Sequence, residues 1–305
     1  MAASISNWIP IEWSSTAIQR VQSRSAVEGY ARGENMGSDT MRVLRSGGLT
    51  VGVGGTYVSD SSSNDYILLD SQPFTGQFIV AEDDLADADS VINTINVKAT
   101  DWAANYADVF DNACLAVTGA GDGSSGTPFN SVYKTIRTNG SGVTSAYSAD
   151  ANYLAWNGTA SAAYDKFSGT LGLVETGQFW DMSNSLVIAH PTFRASFRQT
   201  KDDNNMPVFV QGLAGTPDTL FGVPVAWSLG AKTSPTVSAA PAGNPILIFC
   251  GNTDLLVRGD RLSPRALIDT ARAHDSTDQT ALKLKVRKAF GVAHPNGFSV
   301  LEKTA

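Results

Sequence analysis

Thr280-Ala281-Leu282-Lys283-Leu284-Lys285-Val286-Arg287 alternates almost without fault: Leu282, Leu284 and Val286 fall on one face, Lys283, Lys285 and Arg287 on the other. A period of two puts one face of a strand on a core and leaves the other to water or a partner. Upstream, residues 246–250 (Ile-Leu-Ile-Phe-Cys) read as an apolar strand. Gly251-Asn252-Thr253 follows as a turn, and Leu255-Leu256-Val257-Arg258-Gly259-Asp260 resumes the extended pattern. Downstream, residues 290–294 form a last strand that turns at Pro295-Asn296-Gly297 into residues 298–301. No catalytic constellation accompanies these strands, here or elsewhere in the chain. Long strands without chemistry point to assembly.

Other segments have their own textures. Residues 1–36 read as an arm, with Trp8, Ile9, Ile11 and Trp13 ahead of a weakly helical stretch around 14–31. Residues 41–80 read as a hairpin: strands at 49–51 and 56–58 lead out to a polar tip at 59–65, and 66–69 and 77–80 lead back. A two-stranded ribbon is marginal alone in water, so it should lean on something, a neighbouring subunit foremost. Apolar residues then recur at Leu85, Ala88, Ile92, Ile95, Ala99, Trp102, Tyr106, Phe110, Ala113 and Val117, a helical period. Ser90 is a candidate cap for a helix over 90–118, about 40 Å long, and Gly119 to Gly126 ends it. Residues 127–242 read as a mixed α/β lobe. It has a helix over much of 153–174, strands at 185–189, 208–210 and 220–225, a short helix from Pro191 to Gln199, and a loop at 228–243.

Charge narrows the functions. Of the 305 residues only 17% are charged and 28 are glycine, which suits a subunit covered by neighbours or a β-rich secreted protein. The net charge of −7 is uneven: residues 1–97 carry twelve acids, five arginines and no lysine. Residues 258–303 carry nine bases against five acids. Such halves complement each other between copies, or they are ordinary solvated faces. The acidic balance argues against a nucleic-acid reader. Cys114 and Cys250 read as buried thiols of a reducing compartment. With no signal-peptide pattern and no apolar run of membrane length, the expectation is a soluble protein, cytoplasmic at synthesis.

Candidate sites fail one by one. His190, His274 and His294 lack metal-ligand spacing, and no G-x-S-x-G elbow occurs. The glycines of 119–126 lack the lysine of a phosphate loop. Glu82-Asp83-Asp84 fits a helix start better than a cation site or glycosidase pair. Arg258-Gly259-Asp260 on a strand is a chance match to an adhesion tripeptide. Asn139-Gly140-Ser141 and Asn157-Gly158-Thr159 match the glycosylation sequon, which has no meaning without secretion. No catalytic residue, metal or cofactor is expected.

In this order the segments resemble the major capsid proteins of tailed bacteriophages with the Hong Kong phage-type fold, especially those of phages infecting actinobacteria. The resemblance spans the chain. It rests on residues 7–14 with Ser25-Ala26-Val27-Glu28, on Arg45-Ser46-Gly47-Gly48 and on Ala81-Glu82-Asp83-Asp84-Leu85. Asp111-Asn112-Ala113-Cys114-Leu115-Ala116-Val117, residues 220–225 and residues 287–300 complete it. It implies an α+β fold with an N-terminal arm (1–40), an extended β-hairpin loop (41–80), a peripheral domain with a long spine helix (81–118 and 252–289) and an axial α/β domain (119–251 and 290–305). It also implies a structural protein that assembles as hexamers and pentamers into an icosahedral shell. The shell would enclose double-stranded DNA without specific binding, with a portal and a separate scaffold or decoration protein as partners and no membrane. The residues placed at assembly elements are Trp8, Trp13, Arg45, Asp60, Asp65, Phe74, Arg258, Arg261, Lys283, Lys285 and Arg287. Two departures matter. The type member cross-links through a lysine in its extended loop, whereas the first lysine here is Lys98. The chain also opens at the arm, so no fused scaffolding segment is expected. The alternatives are an encapsulin-like nanocompartment shell and a secreted β-rich hydrolase or carbohydrate binder.

Overall fold

The structure is a computed structural model. It describes residues 24–46, 51–55, 57–59, 64–81, 83, 94–138, 147–202, 204, 206–212, 216–241, 243, 245–269 and 279–304. In chain order its elements begin with α1 (Ala26–Tyr30), β1 (Arg32–Asn35), β2 (Thr40–Arg45), β3 (Asp65–Asp70), β4 (Gln72–Ala81) and α2 (Thr94–Leu115). Next come α3 (Val132–Arg137), β5 (Tyr153–Trp156), α4 (Ala163–Glu175), β6 (Ser185–Ala189), α5 (Phe193–Gln199), β7 (Phe209–Val210), β8 (Asp218–Leu220) and β9 (Val223–Trp227). The last are β10 (Ile246–Asn252), β11 (Leu256–Asp269), β12 (Gln279–Val292) and β13 (Phe298–Lys303). The chain divides into a smaller unit (Met1–Gln22, Thr75–Ala104, Pro264–Val286) and a larger one (Ser23–Phe74, Asn105–Ser263, Arg287–Ala305). β4, α2, β11 and β12 each contribute residues to both.

The larger unit is built on a seven-stranded sheet of order β5-β13-β10-β6-β9-β8-β7. β10 runs antiparallel to both neighbours, with Phe249 opposite Val300 on β13 and Ile188 on β6. Both β6 and β10 are buried along almost their whole length, as continuous apolar runs covered on two faces must be. On one face, Phe167 and Leu171 of α4 and Phe193 and Phe197 of α5 pack with Val187, Ile248, Cys250 and Leu301. On the other, Leu115 of α2 and Val132 of α3 share a small internal space with Ile188, Phe249 and Phe298. Cys114 and Cys250 are unpaired and buried, and burial pushes the Cys250 thiol up to about 12.

β2 and β3 form a separate antiparallel ribbon, in register from Thr40 opposite Asp70 to Arg45 opposite Asp65. Alternation gives the ribbon two faces. Met41, Val43, Ile67 and Leu69 pack with Met36, Val257, Ala289 and Ala293, while Leu44, Tyr66 and Leu68 face outward. A third sheet has the order β1-β11-β12-β4, with β1 parallel to β11 over Arg32–Asn35. In the smaller unit Gly76 has no room for a side chain, because a Cβ there would come within 2.3 Å of the Trp102 indole. Lys98 lies over the Phe78 ring, 5.6 Å from its centroid.

Several local expectations give way. Residues 153–156 are a strand, pairing in parallel with Val300–Lys303, and the helix begins only at Ala163. Gly158, at φ +84°, sits in the break between them. Residues 220–225 are a hairpin and not one strand. Phe221 (φ 52°) and Gly222 (φ 84°) carry the paired positive angles of a tight primed turn between β8 and β9. Leu220, Val223 and Val225 are all buried, which hid the turn inside an apolar run. Of the strands expected at 49–51 and 56–58, the described residues are not strand, and 49, 50 and 56 lie outside the description. The long helix begins its described course at Thr94 and ends at Leu115, and Val117 bridges to Ser234.

Candidate assembly surfaces

Two polar constructions, one buried and one part-buried, fix the start of the described chain. Ser25 caps α1 by accepting from Glu28 N, as its hydroxyl chemistry favours. That same hydroxyl donates to Asp111 Oδ1 at 2.5 Å. Val27 N donates to Oδ1 (3.1 Å), and Ala26 N (2.9 Å) and Ser228 Oγ (2.6 Å) donate to Oδ2. Asp111 is 2% exposed, and burial pushes its carboxyl up to about 6 against the pull of these hydrogen bonds. The adjacent Asn112 donates to the carbonyls of Gly230 and Lys232 and accepts from Ser238 N. Gly230 is glycine because a Cβ would come 2.5 Å from Asn112 N.

The second construction is ionic. Lys288 Nζ lies 2.7 Å from Asp260 and 3.1 Å from Glu28. Arg258 reaches Asp260 (2.9 Å) and donates to the Glu28 carbonyl (2.5 Å), and Tyr106 donates to the Glu28 carboxylate (2.9 Å). Burial, then the neighbouring Glu28 charge, pushes the Tyr106 phenol far up, so it stays a donor. Part-buried pairs with several partners resist screening better than surface pairs.

Arg45 and Asp65 close the base of the loop that spans 46–64. The guanidinium grips the carboxylate through two 2.7 Å bonds and donates to the Ala293 carbonyl at 2.6 Å. Beside it, His294 stacks on Phe179, and burial and then Arg45 hold its imidazole below the usual range.

The structure places the sequence-selected residues as follows. Arg45 and Asp65 meet in this clamp. Phe74 packs edge-on against Tyr106 and Phe110. Arg258 lies in the ionic cluster, and Arg261 and Arg287 both reach Asp39, at 3.5 and 3.0 Å. Lys283 pairs with Asp269, and Lys285 is exposed. Trp8, Trp13 and Asp60 lie outside the described residues. Glu28, Asp111, Asn112 and Lys288 lie in the stretches that carry the resemblance but were given no site role, although all four hold the larger unit together. Val51, Val53 and Tyr57 are 83%, 102% and 101% exposed. Such apolar tips mark surfaces that expect a partner. Among the described residues no cluster of metal-ligating side chains occurs, and no helix is long and apolar enough to cross a membrane.

The arrangement of spine helix, hairpin loop and split mixed lobe is that of a capsid shell subunit of the Hong Kong phage type. It matches the capsid of the native GTA particle computed with C5 symmetry at TM-score 0.68 and 16% identity, covering 100% of both chains. It also matches a chain of Mycobacterium phage Bobi (TM-score 0.69, 12% identity, 99% and 97% covered). A chain of Microbacterium phage Oxtober96 matches at TM-score 0.63 and 16% identity, with 97% and 96% covered. A search of the curated proteins finds no match. The phage capsid family model matches residues 6–303, and the chain belongs to that family. Its function is that of a major capsid protein of a tailed phage. The comparisons lend no support to the nanocompartment shell or the secreted hydrolase.

Proposed function

We propose that this capsid subunit forms hexamers and pentamers that close into an icosahedral head around double-stranded DNA. Residues 1–40 serve as the arm and 41–80 as the extended loop. Residues 81–118 with 252–289 make the peripheral domain, and 119–251 with 290–305 the axial domain. The observation that carries this reading is the loop between Arg45 and Asp65, which presents Val51, Val53 and Tyr57 to solvent from a tightly held base. An isolated subunit gains nothing from such a tip, while a neighbour covering it buries apolar surface worth about 25 cal/mol per Å². Many moderate contacts multiply around closed symmetry.

Negative-stain microscopy of the purified protein, with its scaffold supplied, tests the reading. Closed shells or pentameric and hexameric rings are the expected result. A monomer that persists with scaffold present overturns it.

Portal, scaffold and decoration partners follow from the same proposal. DNA would be enclosed without specific recognition, the net charge of −7 keeping it from the wall. The subunits stay covalently separate, because no lysine precedes Lys98, whose ammonium faces the Phe78 ring. Mature particles boiled in detergent should therefore run as a single monomer band. A ladder of multimers under reducing conditions would show covalent cross-linking after all.

A further inference from the structure

The larger unit carries an unfilled groove of about 480 Å³ between the outward side of β3 and the glycine-rich turn after α2. Tyr66, Leu68, Phe129 and Phe290 make its apolar wall, and Asp70 and Asp122 its polar lip. No basic residue lines it. Asp122 Oδ1 accepts from Thr127 Oγ1 at 2.5 Å and from Ser124 N at 2.9 Å, which fixes the carboxylate at the lip. These bonds hold its carboxyl down at about 2, so it is charged at any working pH. The groove is therefore apolar inside and anionic at the edge.

The smaller unit carries a surface of the opposite character. β1 pairs with β11 only as far as Asp260, and no described strand covers that side of β11 beyond it. At the far end Leu267 and Ile268 are 63% and 49% exposed. Successive residues of a strand point to opposite faces, so this end is apolar and bare on both. Arg265 and Lys285 are exposed beside it, while Lys283 spends its charge on Asp269.

We propose that the groove of one subunit receives the Arg265–Leu267–Ile268 end of β11 from a second copy. This rests on the shell reading above and names one of its contacts. Leu267 enters between Tyr66, Leu68, Phe129 and Phe290, Arg265 on the same face of the strand meets the Asp70 and Asp122 lip, and Ile268 on the opposite face closes over the contact. Charge selects this occupant over another bare apolar segment, residues 51–57 with exposed Val51, Val53 and Tyr57. That loop has no base between Ser46 and Asn64 and carries Asp60, so it would set acid against acid. The contact joins unlike surfaces head to tail, the type that builds rings and closed lattices.

Two sets of variants test it in shells of the full chain. Pro128→Cys with Leu267→Cys, oxidised after assembly, should give inter-subunit disulfides and a ladder on a non-reducing gel, since linkage requires Cα atoms within about 7 Å. Asp122→Lys and Arg265→Glu should each lower shell yield roughly tenfold at low salt, and the double exchange should restore it. The cysteine pair keeps the test valid if Asp122→Lys misfolds. Shells that form without the 128–267 link overturn this contact and leave the shell reading intact. Linkage of Pro128→Cys to Val53→Cys instead assigns the groove to the loop tip and overturns it too. If the wild-type chain forms no shells with scaffold present, the shell reading fails and this contact falls with it.

Discussion

Replacing Asp111 by alanine should cost about 3–5 kcal/mol of subunit stability, the largest loss expected from one substitution in this chain. The carboxylate accepts from Ser25 Oγ, Ala26 N, Val27 N and Ser228 Oγ, and removing it strands four donors in a site 2% exposed. Ordinary domains are stable by only about 5–15 kcal/mol, so Asp111→Ala should shift the urea midpoint far down and abolish assembly. Asp111→Asn should fall between. Its one oxygen still accepts from two donors and Ser228 can rotate to accept, but its amide nitrogen meets the Ala26 N–H. A variant that melts like the wild type would show that the site rehydrates or collapses without loss.

The same residue sets a pH dependence. Its folded pKa, about 6, lies above the ordinary aspartate value of about 3.9. The contribution to stability is therefore fully present below about 3.9 and is lost as pH rises through about 6, a change on the order of 3 kcal/mol. Asp111→Asn cannot titrate. The stability difference between wild type and Asp111→Asn should accordingly grow as pH falls from about 7 to about 4. Parallel pH profiles would show that the hydrogen bonds outweigh desolvation and keep the carboxylate ionised throughout.

Periodicity made the frame of this fold readable. β12 runs through fourteen residues, long enough for the alternation at 280–287 to stand out, and β6 and β10 read as buried from the apolar runs at 186–189 and 246–250. The Phe221-Gly222 turn stayed hidden because Leu220 before it and Val223 and Val225 after it are apolar and buried, leaving Gly222 as the break in that run. Asp111 was harder still. An aspartate in a helix reads as a solvent-facing residue, and its partners lie 84 to 117 residues away in sequence. One signal was present: Asp111 lies four residues after Ala107 and three before Cys114, both small and both buried. A carboxylate on a buried stripe between small residues faces another segment at close range. The Arg45–Asp65 pair was not legible, because the sequence pattern put Asp65 in a polar tip at 59–65, whereas it opens β3 directly opposite Arg45. Packing of β2 and β3 in register turned them into a clamp.

Severing that clamp is the second large effect. Arg45→Met should destabilise the subunit by about 3 kcal/mol, because it takes the fork from Asp65 and one donor from the Ala293 carbonyl at a site where the arginine side chain is 4% exposed. Arg45→Met combined with Asp65→Leu should recover much of the loss, since a well-packed apolar pair often equals a buried ion pair in stability. The two differ in geometry. Two parallel N–H···O bonds fix the planes of the groups they join, whereas apolar packing tolerates rotation. The double variant should therefore regain its melting temperature while residues 46–64 are cut faster by protease than in the wild type. Its shells should form in lower yield, because each tip that leaves its base at a different angle misses the next subunit. Full recovery of both stability and shell yield would mean that packing of Ile67, Leu69, Met41 and Val43 alone aims the loop. The ion pair would then add cohesion and nothing to direction.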